Sequence, residues 1–495
     1  MFKKILIANR GEIALRIMNT CHEMGIGTVA VYSDADRKAL HVLKAGQSVY
    51  LGSSEPSESY LNMDKIIAAA KESGAEAIHP GYGFLAENPE FAERCETEGI
   101  IFIGPPSSVI RDLGNKTIAR QIMIKNGVPV IPGMTCPETD SKIMADEAYK
   151  LGYPVLIKAA AGGGGKGMRL VETPGDLKEA CTSAANEAGR AFGNASIYLE
   201  KYIACPRHIE FQIMADSFGN TVHLLERECS IQRRHQKIIE ETPSPVMTPE
   251  LRERMGNAAL MAARASGYVN AGTVEFLLDK EGRFYFLEVN TRLQVEHPIT
   301  EMITGLDLVR LQLQIASGAP LPFTQKDISG RGHAIECRIY AEDPEQGFFP
   351  SPGKIEFMKE PSGPGIRNDC GIYSGFNVPV EYDPILSKLI VYAASREDAI
   401  ERMLRALREY VISGVKTPIA FLIDILGSVA FSQGQTYTDF INTHFPSWKP
   451  ERPDIDIACI AFIIDEIAGR KKVQRTGPAA NDYPTPWESL GGWRM

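Results

Sequence analysis

The segment EVNTRLQVEH, residues 288–297, sets Glu288, Asn290, Arg292, Gln294 and Glu296 at every second position. In an extended chain alternate side chains share a face, so two carboxylates, two amides and a guanidinium would line one side. Val289, Leu293 and Val295 fall on the other. A second carboxylate source lies upstream, in GTVEFLLDKEGRFYFLEVN (272–290), which reads as a β-hairpin. A four-residue loop at 280–283 pairs 279 with 284 and sets Glu275 directly opposite Glu288. Opposed Cβ atoms are about 5 Å apart, where like charges repel unless one is protonated or a cation lies between. A hard divalent ion, Mg²⁺ or Mn²⁺, with Glu275, Glu288 and Asn290 as oxygen ligands and phosphates completing its shell, resolves that conflict. A solvated strand face is the alternative, and the large apolar neighbours Phe276, Phe284 and Phe286 argue against it.

AGGGGKGM (161–168) offers backbone N–H groups that phosphates can approach closely. It is no Walker A sequence, because Gly167 rather than Ser or Thr follows Lys166. Strand-like runs on both sides, VLIKA and MRLVE, make it a hairpin tip, either phosphate-holding or plain. Lys158, in the apolar run PVLIKA, favours the first reading, since a buried ammonium needs an anion. SIQRRHQKIIEE (230–241) adds Arg233, Arg234, His235 and Lys237, either a salt-bridged loop or cations for transferring phosphoryl oxygens.

The elements that must hold these groups follow from periodicity. KILIAN, the helical GEIALRIMNTCHEMG and TVAVYS form a βαβ unit, and AEAIHPG and GIIFIGP add strands, which predicts a parallel doubly wound sheet. ANRGEIALR has one glycine where a dinucleotide fingerprint needs three, so this region is scaffold. Paired strands run to residue 290, residues 333–395 are strand-rich, and REDAIERMLRALREYV is helical. The 495 residues suggest about three domains. A net charge of −9 argues against nucleic acid. Nine scattered cysteines read as reduced, no signal core opens the chain, and IACIAFII (457–464) is too short to span a bilayer, so a cytoplasmic protein without a membrane contact is expected.

These elements in this order resemble an ATP-grasp enzyme, and more specifically the biotin carboxylase component of acetyl-CoA, propionyl-CoA and pyruvate carboxylases. ILIANRGEIALRI, AIHPGYGFLAEN, IKAAAGGGGKGM, RHIEFQI, ECSIQRRHQK, EVNTRLQVEHPITEMITG and GHAIECRIYAEDP carry the resemblance, which extends to about residue 447. It implies mixed α/β and α+β domains: an N-terminal doubly wound parallel sheet (1–114), an ATP-grasp domain (115–330) with a mobile glycine-hairpin lid at about 132–203, a strand-rich C-terminal domain (331–447), and a tail (448–495). Lys116, Lys158, Gly164, Gly165, His208 and His235 would hold ATP, with adenine at Glu200, Lys201, Tyr202 and Ile203 and two ions at Glu275, Glu288 and Asn290. Lys237, Arg292, Gln294 and Val295 would hold bicarbonate and Glu296 deprotonate it, while Arg338, Tyr82 and Gly83 would face biotin.

The resemblance further implies a homodimer working with a biotin carboxyl carrier protein and a carboxyltransferase, acetyl-CoA being the expected acceptor and pyruvate or propionyl-CoA the alternative. Carrier biotin sits on a lysine flanked by methionines, and the sole Met-Lys, Met358-Lys359, precedes Glu360 in an apparent strand, so the carrier is expected on another chain. The tail holds an amphipathic IDIACIAFIIDEIAG and, with Trp448, Trp487 and Trp493, all three tryptophans; it either docks a partner or packs on its own domain. Competing readings are another ATP-grasp ligase, such as a carbamoyl-phosphate or purine-pathway enzyme, and a silent nucleotide-binding protein. The latter should have lost Glu296, Arg292 or a metal carboxylate, and all stand.

Overall fold

Strands β1 (Lys4–Ile7), β2 (Gly27–Ser33), β3 (Gln47–Gly52), β4 (Ala77–His79) and β5 (Ile101–Phe102) form a sheet of order β3-β2-β1-β4-β5, parallel at every pairing. The helix Gly11–Glu23 turns Ile13, Ala14, Ile17, Met18 and Cys21 inward at helical spacing, and these cover one face. Tyr60, Ile66, Ile67 and Phe91 cover the other. The doubly wound sheet is therefore present. Strand β3 escaped the sequence reading because QSVYLG is an edge strand with Leu51 as its one buried side chain. The computed structural model describes residues 1–134, 138, 140–159, 168–450, 460 and 464.

Strands β6 (Val155–Ala159), β7 (Arg169–Val171) and β8 (Ile197–Lys201) form a small antiparallel sheet of order β7-β6-β8. Strands β6 and β7 pair as Val155↔Val171 and Ile157↔Arg169, so both flanks of the glycine run are extended, as expected; the tip itself, 160–167 with Gly164 and Gly165, lies outside the described residues. Helices Ser141–Leu151 and Leu177–Phe192 flank this sheet. Met144, Ala148, Val155, Ile157, Val171, Ala184 and Leu199 make it an apolar core of its own.

The largest sheet holds β9 (Arg207–Ala215), β10 (Thr221–Arg233), β11 (Gln236–Thr242), β12 (Asn270–Leu278), β13 (Phe284–Asn290), β14 (His333–Tyr340), β15 (Ile366–Cys370) and β16 (Ile385–Ala393). Its order is β13-β12-β9-β10-β11-β14-β16-β15, antiparallel throughout. The β11–β14 pairing, Ile239↔Cys337 among others, carries it without a break past residue 330. Every residue of β9 is buried. Ile209, Phe211 and Ile213 join Met255, Ala258 and Ala262 of the helix Pro249–Ala265 in one core. By period-2 alternation His208, Glu210 and Gln212 take the other face, where buried polar groups must find partners.

Two local expectations need correction. The β12–β13 turn is tighter than predicted: Leu278 pairs with Phe284, and Asp279 donates its N–H to Arg283 O at 2.9 Å. Glu275 still opposes Glu288, because a bulge between Glu275 and Phe276 in the pairing absorbs the extra residue at Leu287. The extended chain also ends at Asn290, not Glu296. Thr291 donates its N–H to Glu87 Oε1 at 3.0 Å, and 291–296 run as a loop into the helix His297–Thr304, which has Pro298 in its first turn.

The chain divides into two units, Met1–Trp448 and Lys449–Met495. Trp448 belongs to the first: its indole N–H donates to Asp424 Oδ2 at 2.6 Å and its ring edge packs on Phe421 at 5.0 Å. The tail readings fall almost wholly outside the described residues. No described helix is long and apolar enough to cross a membrane.

Candidate active site

Ladder register lines up Glu288 (β13), Glu275 (β12), Glu210 (β9) and Arg227 (β10) as direct neighbours across four strands. Three carboxylates in a row are tolerable only if cations interleave. Lys237, on β11, supplies the first: its Nζ lies 2.5 Å from Glu210 Oε2, 2.8 Å from Glu275 Oε1 and 2.6 Å from Glu296 Oε1. His208 Nε2 stands 2.8 Å from Glu275 Oε2. Burial by itself would lower the His208 pKa, but Glu275 raises it above the ordinary imidazole value.

Although 291–296 is no strand, the predicted side chains still converge. Gln294 donates its amide Nε2 to Glu275 Oε1 at 2.9 Å, and Asn290 donates to the same oxygen at 2.8 Å. Arg292 is held through Nε by Glu87 Oε2 at 2.8 Å and through Nη2 by Asn290 Oδ1 at 3.2 Å. Val295 offers its backbone carbonyl to Lys388 Nζ at 3.1 Å. Glu296, 1% exposed, is gripped by Lys237 and, at 2.9 Å, by Arg338 Nη2. Burial would raise its pKa; the two cations override this and hold it well below the carboxylate range. Arg338 in turn donates Nε to Glu240 Oε1 at 2.6 Å.

Of these, His208, Lys237, Glu275, Glu288, Asn290, Arg292, Gln294, Val295, Glu296 and Arg338 line a cleft of about 590 Å³. Residues of the small sheet and of the Glu200–Ile203 segment also line the cleft. Lys158 Nζ lies 2.5 Å from Glu200 Oε2, Lys201 Nζ donates to Gly152 O at 2.7 Å, and Tyr202 and Ile203 follow along the rim. Lys116, at the start of the helix Lys116–Lys125, reaches Glu288 Oε2 at 3.7 Å. His235 enters from a two-residue turn between β10 and β11, where both Arg234 (φ 50°) and His235 (φ 67°) are left-handed, as a type I′ hairpin requires.

Glu275, Glu288 and Asn290 fit a hard cation by donor chemistry. Two carboxylates are directly opposed in register, and the Asn290 amide already meets Glu275. An ion there would compete with Lys237 and His208 for Glu275, whereas Glu288 remains 40% exposed with Lys116 nearby.

Among the described residues, Tyr82 and Gly83 are the predicted ones that do not join the lining of this cleft; Gly164 and Gly165 lie outside the described residues. The Tyr82 hydroxyl donates to Glu12 Oε1, and the backbone carbonyl of Tyr82 accepts Asn9 Nδ2 at 2.7 Å. Conversely, sequence reasoning missed Glu210, Arg227, Glu240 and Glu87, and the rim residues Thr438, Asp439 and Asn442. The alternation H-I-E-F-Q along β9 could have exposed Glu210; Arg227, inside the charged run ERE, carried no such signal.

The chain matches three family models in sequence: Biotin carboxylase, N-terminal domain (residues 1–110), Carbamoyl-phosphate synthase L chain, ATP binding domain (115–324), and Biotin carboxylase C-terminal domain (336–443). It is 56% identical to a pyruvate carboxylase subunit of Methanothermobacter thermautotrophicus over 90% of each chain. It is 54% identical to biotin carboxylase of Nostoc sp. over 89% of this chain and 98% of that one. Among solved structures, the biotin carboxylase domain dimer of Hydrogenobacter thermophilus 2-oxoglutarate carboxylase, in complex with MgADP, ADP and bicarbonate, superposes with a TM-score of 0.88 at 48% identity, covering 91% of this chain and 100% of that one. The Campylobacter jejuni biotin carboxylase–βγ-ATP complex gives 0.87 at 47%, covering 90% and 99%. The central match bears the carbamoyl-phosphate synthase description while both flanking matches bear that of biotin carboxylase, and the chain belongs to the biotin carboxylase family of ATP-dependent ligases.

Proposed function

We propose that this cleft carboxylates biotin with ATP and bicarbonate through carboxyphosphate. The observation that carries the reading is the convergence of Lys237, Arg292, Gln294, Glu296 and Arg338 in one cleft with Lys116, Lys158 and the Glu200–Ile203 hinge. Lys116, Lys158, His208 and His235 take the phosphates, with the glycine run that includes Gly164 and Gly165, and the hinge takes adenine. Glu275, Glu288 and Asn290 would hold Mg²⁺, or Mn²⁺, whose charge neutralises the triphosphate.

Lys237, Arg292, Gln294 and the Val295 backbone hold bicarbonate in line with the γ-phosphorus, which removes the entropy of bringing a poor nucleophile to it. Glu296 takes the bicarbonate proton as the oxygen–phosphorus bond forms and ADP leaves. The Lys237 grip on Glu296 must pass to the incoming anion, and that exchange restores basicity to a carboxylate otherwise held too acidic. Carboxyphosphate then breaks to CO₂ and phosphate, the phosphate takes the biotin N1′ proton, and N1′ captures the CO₂ while Arg338 faces the negative charge on the ureido oxygen. The small sheet, with its own apolar core, is the lid that excludes water meanwhile. Tyr82 and Gly83 are assigned to the biotin ring by the resemblance alone.

No Met-Lys-Met occurs in these 495 residues, so the biotin resides on a lysine elsewhere, and a carboxyltransferase completes the transfer. A homodimer is the working assembly, in line with the Hydrogenobacter domain dimer. Acetyl-CoA is the acceptor expected from the resemblance; the 56% identity to a pyruvate carboxylase component favours pyruvate as the second reading. Cleavage of ATP by the purified chain should require bicarbonate and rise with free biotin. Cleavage indifferent to bicarbonate overturns the reading. Identifying the acceptor that the native complex carboxylates decides between the two.

A further inference from the structure

Arg227 is 0% exposed and does not line the cleft, yet each of its guanidinium nitrogens is engaged. Nε donates to Glu210 Oε1 at 2.5 Å, Nη1 to Gln212 Oε1 and Thr300 Oγ1 at 2.9 Å each, and Nη2 to Thr273 Oγ1 at 3.1 Å and Gln294 Oε1 at 2.8 Å. One planar fork thus ties β9, β12, the 291–296 loop and the helix His297–Thr304 together. We propose that Arg227 is the positioning residue that fixes Gln294 and Lys237 as donors to bicarbonate, an inference that rests on the function proposed above.

Two consequences of the geometry support it. A guanidinium only donates, so the Gln294 oxygen must face Arg227 and its Nε2 must point the other way, toward Glu275 and the cleft. The amide is thereby locked in the one orientation that presents N–H to an anion. Glu210, likewise, has Oε1 committed to Arg227, which leaves Oε2 for Lys237 and anchors that ammonium from below at one fixed point. A lysine at 227 has three donors on a flexible stem and cannot reproduce the five-bond fork.

The test uses the full chain and measures KM for bicarbonate and for ATP in bicarbonate-dependent, biotin-stimulated ATP cleavage. A wild-type protein lacking bicarbonate dependence would overturn the functional reading, and the proposal with it. Given that activity, Arg227→Lys is expected to raise the bicarbonate KM by about tenfold or more while the ATP KM stays within about twofold. Thr300→Val removes one acceptor and leaves the substrate donors intact, with an expected selective rise of about threefold. Should Arg227→Lys fail to fold, Thr300→Val decides by itself. A selective rise upholds the positioning role; an unchanged bicarbonate KM, or a parallel change in both constants, shows an arginine that merely fills the fold.

Discussion

Glu296 lies between Lys237 and Arg338, at 2.6 and 2.9 Å, and this double grip keeps it ionised far into acid. Its replacement by Gln retains size and hydrogen bonding but cannot accept a proton. Glu296→Gln should lower kcat for bicarbonate-dependent cleavage by about 10²–10⁴-fold, the usual worth of a general base, with the ATP KM little changed. Steady-state kinetics check it, and a loss under about tenfold would remove Glu296 from that role. Glu228 behaves oppositely. Burial pushes its carboxyl from 4.5 up to about 7, against Arg207 at 3.7 Å. Between those values the folded protein keeps a proton that the unfolded chain has released, so stability falls as pH rises through the window, by up to about 3 kcal/mol. Glu228→Gln should flatten the decline of Tm between about pH 5 and 7, as read by calorimetry. At this scale the sequence was most legible for groups packed into one short motif. Arg292, Gln294 and Glu296 declared themselves, whereas Glu210, Arg227 and Glu240 reach the site from separate strands whose pairing no local pattern encodes.

Among the elements, the small sheet is the piece most able to move as a body, because Val155, Ile157, Val171 and Leu199 pack with one another and with its two helices. Leu199 is 0% exposed, and Leu199→Ala should cost about 2–5 kcal/mol of that local stability. Hydrogen exchange should then quicken in 141–159 and 168–201 while β9–β13 stay protected; uniform quickening would mean that the lid has no independence. Element boundaries were readable wherever apolar periodicity was strong, as in the helices Gly11–Glu23 and Arg396–Glu409. The failures had physical causes. A three-residue turn and a bulge replaced the simple hairpin, and the chain left the ladder after Asn290, where Glu87 takes the next N–H, although the side-chain types go on alternating.

For the molecule as a whole, the eight-stranded sheet joins the region holding Glu275 and Lys237 to the one holding Arg338, so the two substrates' expected sites share a single rigid floor. All the described cleft residues belong to Met1–Trp448. Truncation after Trp448 should therefore leave free-biotin-stimulated cleavage within about twofold of the full chain, whereas removing Trp448 as well takes away its contacts with Asp424 and Phe421 and should lower Tm. The central claim, that an oxygen of bicarbonate attacks the γ-phosphorus, has one direct readout. With ¹⁸O-bicarbonate and unlabelled water, mass spectrometry of the released phosphate should find one ¹⁸O per molecule. Phosphate carrying no ¹⁸O would show that water is the nucleophile and that carboxyphosphate never forms in this cleft.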